Sequence, residues 1–222
     1  GVAAGTSAAA KARRNNKDAE IVLFERDSDI SYAGCGLPYY ISEVTEGREK
    51  VIINTPEGFA EKYKIDVRTK HEVLDINSEE KSLKYKKLET DKIDEYNYDK
   101  LVITTGASPI MPPIPGHELD NIVPLRTVND ADRIKNIIDN KDPKKAVIVG
   151  AGLIGLEMAE SFKESGLEVG VIEKIPHVLP ILSDEMSEIV EEHLKEKDVD
   201  LVLNDGVSEF KGNEKVEKVL GK

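Results

Sequence analysis

The sequence predicts an α/β protein in which a strand-and-helix unit over a parallel sheet is built twice. Three observations carry this. Short apolar runs at residues 21–25 and 146–149 have the composition of buried parallel strands. A glycine-bearing turn and a helical stretch accompany each run. Between the two units lies residues 107–116, stiffened by Pro109, Pro112, Pro113 and Pro115, which marks a domain boundary. In chain order, residues 2–14 read as an Ala-rich helix with Arg13 and Arg14 near its C-terminal end, where they complement the dipole. Thr55-Pro56-Glu57 opens a second helix, Thr capping and Pro at the first position, running to about Lys64. Residues 67–76, 82–88 and 93–98 alternate as an antiparallel meander does, and residues 101–105 read as another buried strand. The second half alternates helix 129–140, strand 146–149, helix 153–165, strand 168–173, helix 184–197 (Ser183 as cap) and strand 200–203. Such alternation requires a parallel sheet with right-handed crossovers.

Composition narrows the class. The 222 residues have room for one large domain or two ordinary ones. Forty-three acids against thirty-one bases give a net charge of −12, which argues against a nucleic-acid or anionic-membrane surface. No apolar run approaches the roughly 20 residues that span a bilayer. The Ala-rich opening has no basic segment ahead of it and is followed by Lys11, Arg13 and Arg14, so it reads as mature structure rather than a leader. One cysteine, Cys35, excludes an intrachain disulfide and a Cys-rich metal site, and the cytoplasm is the expected compartment. His71, His117, His177 and His193 show no metal spacing, so no metal is expected. The chain begins on a glycine in mid-motif and stops inside an unfinished strand pair, which predicts a piece of a longer protein.

The second turn is the cleaner of the two motifs. Strand 146–149 runs into Gly150-Ala151-Gly152-Leu153-Ile154-Gly155 and then a helix. In that setting Gly150 allows the tight turn and Gly152 lets backbone approach a pyrophosphate. Gly155 lets helix and strand pack closely, and the helix N-terminus supplies dipole and N–H groups. Glu173, at the end of the next strand, is placed to bind a ribose 2′-hydroxyl, which favours NADH because a 2′-phosphate would meet a negative charge. The alternative is a strand–helix turn with no ligand. Gly1-Val2-Ala3-Ala4-Gly5 fits the last five positions of the same fingerprint, with Val2 where the middle glycine usually sits, and Glu25 ends the following strand. Two such Rossmann-like units suggest two dinucleotides and an enzyme passing electrons between them.

Cys35 sits between Gly34 and Gly36 at the start of a predicted helix, where a dipole favours thiolate and the glycines leave the sulfur approachable. With no second cysteine, a redox role must cycle through a mixed disulfide or a sulfenic acid. The competing reading is a buried, structural cysteine.

Ser31-Tyr32-Ala33-Gly34-Cys35-Gly36-Leu37-Pro38-Tyr39-Tyr40-Ile41, with Thr55-Pro56-Glu57, Thr104-Thr105-Gly106-Ala107 and residues 149–160, resembles the single-cysteine branch of the pyridine nucleotide–disulfide oxidoreductases. That branch contains CoA-disulfide reductases, NADH oxidases and NADH peroxidases, and the resemblance is closest to the first. It covers essentially the whole chain. It implies an FAD-binding domain at 1–112, partial at its first strand and C-terminal return, and a partial NAD(P)H-binding domain at 113–222. By position, Gly1, Val2, Ala3, Ala4, Gly5, Thr6, Ser7, Glu25 and Arg26, with Thr105 and Gly106, would hold FAD. Gly150, Gly152, Leu153, Ile154, Gly155, Glu157 and Glu173 would hold NADH or NADPH, and Cys35 would be the redox group. Ser7, Lys11 and Arg14 fall at i, i+4 and i+7 on one helix face. In the resembling reductases a hydroxyl, an amide and an arginine at these places contact CoA, joined by the serine matching Ser31; here Lys11 replaces the amide, which still suits a phosphate-bearing ligand. A solvated face of ordinary charges is the alternative. Gly34 stands where some of these reductases carry a CoA-binding Asn, and Tyr63 where they carry a Lys.

Three functions follow. The first is an FAD-dependent reductase of CoA disulfide, or a related disulfide or persulfide, using NAD(P)H. The second is an NADH oxidase or peroxidase in which Cys35 passes through sulfenic acid. The third is a non-catalytic NADH- or redox-sensing module. The resemblance also implies a later C-terminal domain, absent here, and a homodimer when the protein is complete.

Overall fold

Helix α1 (Ala4–Asn15) lays Gly5, Thr6, Ala9 and Ala10 on one buried face. Alanines there let it sit close to strand β1 (Val22–Phe24), in a core of Leu23, Ile30, Phe59 and Ile65. The computed structural model describes residues 1–222 and resolves them into two units, Gly1–Ala33 with Arg48–Ala107, and Gly34–Gly47 with Ser108–Lys222.

In the first unit β1 pairs in parallel with β2 (Asp66–Arg68), Leu23 opposite Val67. Helix α3 (Pro56–Tyr63; helix α2, Leu37–Ile41, belongs to the second unit) leads into β2. Thr55 caps it as the sequence predicts, its Oγ1 accepting from Gly58 N at 3.1 Å. Strands β3 (His71–Asn77), β4 (Ser82–Lys87) and β5 (Lys92–Asn97) form the antiparallel meander. Phe24 joins it to β1, its ring 4.9 Å from that of Tyr85 and 5.6 Å from that of Tyr96. Two expectations are corrected. The run 67–76 is two strands, because Lys70 takes a left-handed φ of 56° and the chain there bonds back to the loop after β1, Lys70 N to Asp27 O and His71 N to Glu25 O. Residues 101–105 form no strand. They have no hydrogen-bonded neighbour, and Val102 and Ile103 are exposed. An apolar run becomes a strand only where another strand supplies its ladder.

In the second unit β6 (Lys145–Val149), β7 (Glu168–Ile172) and β8 (Val199–Val202) make a parallel sheet in sequence order. Helices α5 (Leu153–Glu164) and α6 (Asp184–Glu196) connect the strands, as predicted. Ala151, Ala159, Val169, Val171, Val178 and Val199 form their core. Helix α4 (Val128–Lys141) starts one residue earlier than predicted, at a capping box between Thr127 and Asp130. Ser183 occupies the cap position of α6, but its side chain accepts nothing from the helix. The Glu185 carboxylate is held below its usual pKa chiefly by its own backbone N–H and secondarily by the Ser183 hydroxyl. Strands β9 (Glu209–Gly212) and β10 (Val216–Leu220) pair antiparallel. Residues Gly34–Gly47 contribute a 3₁₀ turn, Gly34–Gly36, and the short helix α2, Leu37–Ile41.

Candidate functional site

The Gly150–Gly155 turn is built as its spacing requires. Gly150 has φ +104°, and its N–H donates to Ile172 O at 2.9 Å, fastening the turn to β7. A Cβ on Gly155 would lie 2.1 Å from Gly150 O, so only glycine lets the helix start this close to the strand. A Cβ on Gly150 or Gly152 would meet nothing within 4 Å, so the outer side of the turn is open space. No side chain caps α5 at Gly152, which leaves first-turn N–H groups for a ligand or solvent. Leu153, Ile154 and Glu157 are exposed on that first stretch of helix. Glu173 follows β7 and accepts from Ala151 N at 2.7 Å through Oε2 and from Ile175 N at 3.1 Å through Oε1.

The first turn repeats this design. The Gly1 nitrogen donates to Glu25 Oε2 at 2.7 Å, and Asp27 N donates to Glu25 Oε1 at 3.0 Å. Aligned on Gly5 and Gly155, Gly1 occupies the place of Ala151 and Val2 that of Gly152, while Glu25 and Glu173 each come directly after the strand that follows. In both turns an acid directly after a strand accepts from the N–H two residues on and from a nitrogen of the turn, the Ala151 amide in the second and the Gly1 N-terminal ammonium in the first. The fit differs in detail. A Cβ on Gly5 would come 2.9 Å from Thr104 Oγ1, and Val2 takes φ +46°, a left-handed conformation costly for a β-branched residue. Thr6 is buried and donates back to Val2 O at 2.8 Å. Ala3, Ala4, Ser7 and Arg26 are exposed, as are Thr105 and Gly106, the latter with φ +69°.

Cys35 is exposed, which removes the reading of a buried structural cysteine. It lies in the 3₁₀ turn ahead of α2, and a Cβ on Gly34 would meet nothing within 4 Å, so the approach to the segment is open. Ser7, Lys11 and Arg14 share one exposed face of α1, and neither Lys11 nor Arg14 has an ion-pair partner. Ser31 is buried instead, its Oγ accepting from Asn54 Nδ2 at 3.2 Å. Sequence reasoning missed Asn54, whose only local signal is its place before the Thr55-Pro56 helix start. It also missed Arg13 as a fastening. Arg13 donates to the carbonyls of Lys17 (2.6 Å), Tyr63 (2.9 Å) and Lys64 (2.6 Å). The histidines have local partners: His71 with Thr69 O, His117 with Ile114 O, and His177 with the buried Glu191. No helix is long and apolar enough to cross a membrane.

Comparison with known proteins agrees with this geometry. A protein named NADH oxidase from Methanocaldococcus jannaschii is 38% identical over 218 residues, covering 98% of this chain and 48% of that protein. Coenzyme A disulfide reductase from Staphylococcus haemolyticus is 36% identical over 210 residues, covering 95% and 47%. The crystal structure of reduced Bacillus anthracis CoADR-RHD superposes with a TM-score of 0.93 at 43% identity, over 96% of this chain and 39% of that one. The chain thus spans about half the length of the curated relatives it matches. The profile of pyridine nucleotide-disulphide oxidoreductases matches residues 1–222. With both turns built alike and that profile matched along all of its residues, the chain belongs to the pyridine nucleotide-disulphide oxidoreductase family.

Proposed function

We propose that the full-length protein is an FAD-dependent oxidoreductase that uses NAD(P)H to reduce CoA disulfide, or a related disulfide or persulfide, through Cys35. The observation that carries this is the duplicated turn, each with its acid held in place, in a chain whose single cysteine is exposed between glycines. FAD fits the first turn, where Gly1, Val2, Ala3, Ala4, Gly5, Thr6, Ser7, Glu25, Arg26, Thr105 and Gly106 would hold it. NADH or NADPH fits the second, on Gly150, Gly152, Leu153, Ile154, Gly155, Glu157 and Glu173. The open space outside Gly150 and Gly152 is what a pyrophosphate needs. The FAD-binding part corresponds to residues 1–112 and the NAD(P)H-binding part to 113–222.

FAD held by these residues would supply the two-electron chemistry that links the nicotinamide to sulfur. The chain's own contribution is the sulfur and the handling of substrate. The Cys35 thiolate attacks one sulfur of the disulfide, releasing one CoA thiolate and leaving a mixed disulfide at Cys35. Two electrons from NAD(P)H and one proton then return Cys35 to thiolate and release the second CoA as thiol. Lys11 and Arg14, cations without partners on an exposed face, suit the phosphates of CoA, with Ser7 beside them and Ser31 joining by position. Glu173 presents a fixed negative charge and supports NADH over NADPH. The complete protein is a cytoplasmic homodimer in this reading, with no nucleic-acid or membrane partner and no metal. A second reading, oxygen or peroxide reduction through a Cys35 sulfenic acid, is supported by the relative named NADH oxidase at 38% identity.

The test follows NADH oxidation by the full-length, FAD-loaded protein under anaerobic conditions, with CoA disulfide as sole acceptor and Cys35→Ser as control. Two thiols released per NADH, lost in the variant, is the expected result. Absence of turnover with NADH and with NADPH overturns the reductase and moves the assay to peroxide and oxygen.

A further inference from the structure

A cysteine between two glycines, in a single 3₁₀ turn, has little local restraint on its backbone. The helix that follows is five residues long, too short to hold itself together in water. Ahead of the cysteine Ala33 N donates to Val51 O at 2.8 Å, and on its C-terminal side the place of the Cys35 sulfur is set by what α2 is fastened to. Leu37 and Ile41 are each 2% exposed, so the helix is seated by its apolar face. Three polar ties accompany this seat. Tyr40 Oη donates to Asp132 Oδ1 on α4 at 2.9 Å. Lys135, also on α4, pairs with Glu43 just beyond α2. Ser161 Oγ on α5 donates to the carbonyl of Pro38 at 2.9 Å, and this bond is buried.

The Ser161 bond stands apart. Ser161 is 3% exposed and lies on the buried face of α5 with Met158 and Ala159. A hydroxyl on such a face is costly unless it is paired, and alanine would fill the same place without that cost. The Pro38 carbonyl already accepts from Ser42 N at 3.1 Å within the turn of α2, so the Ser161 hydroxyl uses its second lone pair. Pro38 is three residues from Cys35. Moreover α5 is the helix that starts at the Gly150–Gly155 turn, and Ser161 lies six residues, about 9 Å of helix, beyond Gly155. One rigid helix thus carries the dinucleotide turn at one end and the tie to the cysteine segment further along.

We infer that Ser161 is a positioning residue for Cys35, acting through the Pro38 carbonyl to hold the short helix that aims the sulfur. This rests on the reading of Cys35 as the redox group. Displacements of about 1 Å at a reacting atom can cost up to ~100-fold in rate, so loss of one tie among three is set at about 10-fold. The experiment uses the full-length, FAD-loaded protein reduced by one equivalent of NADH. It measures the single-turnover rate of Cys35 attack on 5,5′-dithiobis(2-nitrobenzoate), normalised to titratable thiol and FAD content. Ser161→Ala is expected to lower that rate about 10-fold, with NADH affinity unchanged and melting temperature lower by only a few degrees. Ser161→Thr, which keeps a hydroxyl donor, is expected to recover most of the rate. An alanine variant within twofold of the parent overturns the positioning role, as does a loss that merely follows thiol or FAD content. Full disulfide reductase turnover by Cys35→Ser would instead overturn the redox reading, a separate outcome, because the probe reports on the sulfur directly.

Discussion

At the scale of single residues, the glycines of the second turn separate folding from binding. A methyl group on Gly155 would sit 2.1 Å from the carbonyl oxygen of Gly150, a backbone atom that no side-chain rotation can move away. Gly155→Ala should therefore destabilise the fold by about 1–3 kcal/mol, the usual range for overpacking, seen as a lower urea midpoint. Gly152 has φ −79°, which alanine adopts readily, and its Cβ would meet nothing within 4 Å. Gly152→Ala should leave the urea midpoint within about 0.5 kcal/mol. In the proposed function it should also weaken NADH binding about 10-fold, or about 1.4 kcal/mol, because the methyl would fill the space in which a pyrophosphate would approach backbone. If Gly152→Ala binds NADH as the parent does, the open face of this turn is not where the cofactor lies.

At the scale of elements, the ends of helices and the centre of a strand hold the testable chemistry. Arg13 serves three carbonyls at once, and two of them, Tyr63 O and Lys64 O, belong to the left-handed C-terminus of α3. Arg13→Ala should cost about 1–2 kcal/mol by urea unfolding, toward the low end for charged hydrogen bonds because two of the three are exposed. Lysine should restore little, since one ammonium cannot reproduce the fork. Gly170 lies in the middle strand β7, where a Cβ would meet Lys145 Cε at 3.6 Å and Asp200 Cβ at 3.9 Å, both ordinary contacts. Gly170→Ala should stabilise the sheet by about 0.5–1 kcal/mol, and a lower urea midpoint would show that the Lys145–Asp200 pair needs the bare backbone. The same elements mark what could be read beforehand. The α5 turn was legible because glycine spacing, an apolar strand and Glu173 all agree in one stretch of chain. The absence of a strand at residues 101–105 is not legible in sequence, because apolar composition states what a strand needs and not whether a neighbour is present. The break at Lys70 was invisible, since a lysine in left-handed conformation leaves no glycine or proline to mark it. Asn54 with Ser31 and Ser161 with Pro38 are pairings across 23 and 123 residues, made by packing that no local pattern encodes.

At the scale of the whole molecule, the duplicated turn makes a claim about separability. Glu25 is held by Gly1 and Asp27, and Glu173 by Ala151 and Ile175, so the two acids share no partner. Each serves one nucleotide in the proposed function, and changes at sites without shared partners add to within about 0.5 kcal/mol. Glutamine is the informative replacement, because it keeps an oxygen to accept the turn's N–H while removing the charge. Alanine at position 173 would leave the N–H of the fully buried Ala151 unpaired and confuse binding with folding. In the full-length protein, Glu25→Gln should lower the FAD retained through gel filtration and leave the dissociation constant for NADH unchanged in the FAD-loaded fraction. Glu173→Gln should leave FAD content unchanged and reduce the preference for NADH over NADPH about 10-fold, or about 1.4 kcal/mol, since a neutral side chain no longer repels the 2′-phosphate. The double variant should show both effects at the sizes seen singly. A Glu173→Gln protein that loses FAD, or a Glu25→Gln protein that changes nicotinamide preference, would mean that the two turns do not serve one nucleotide each.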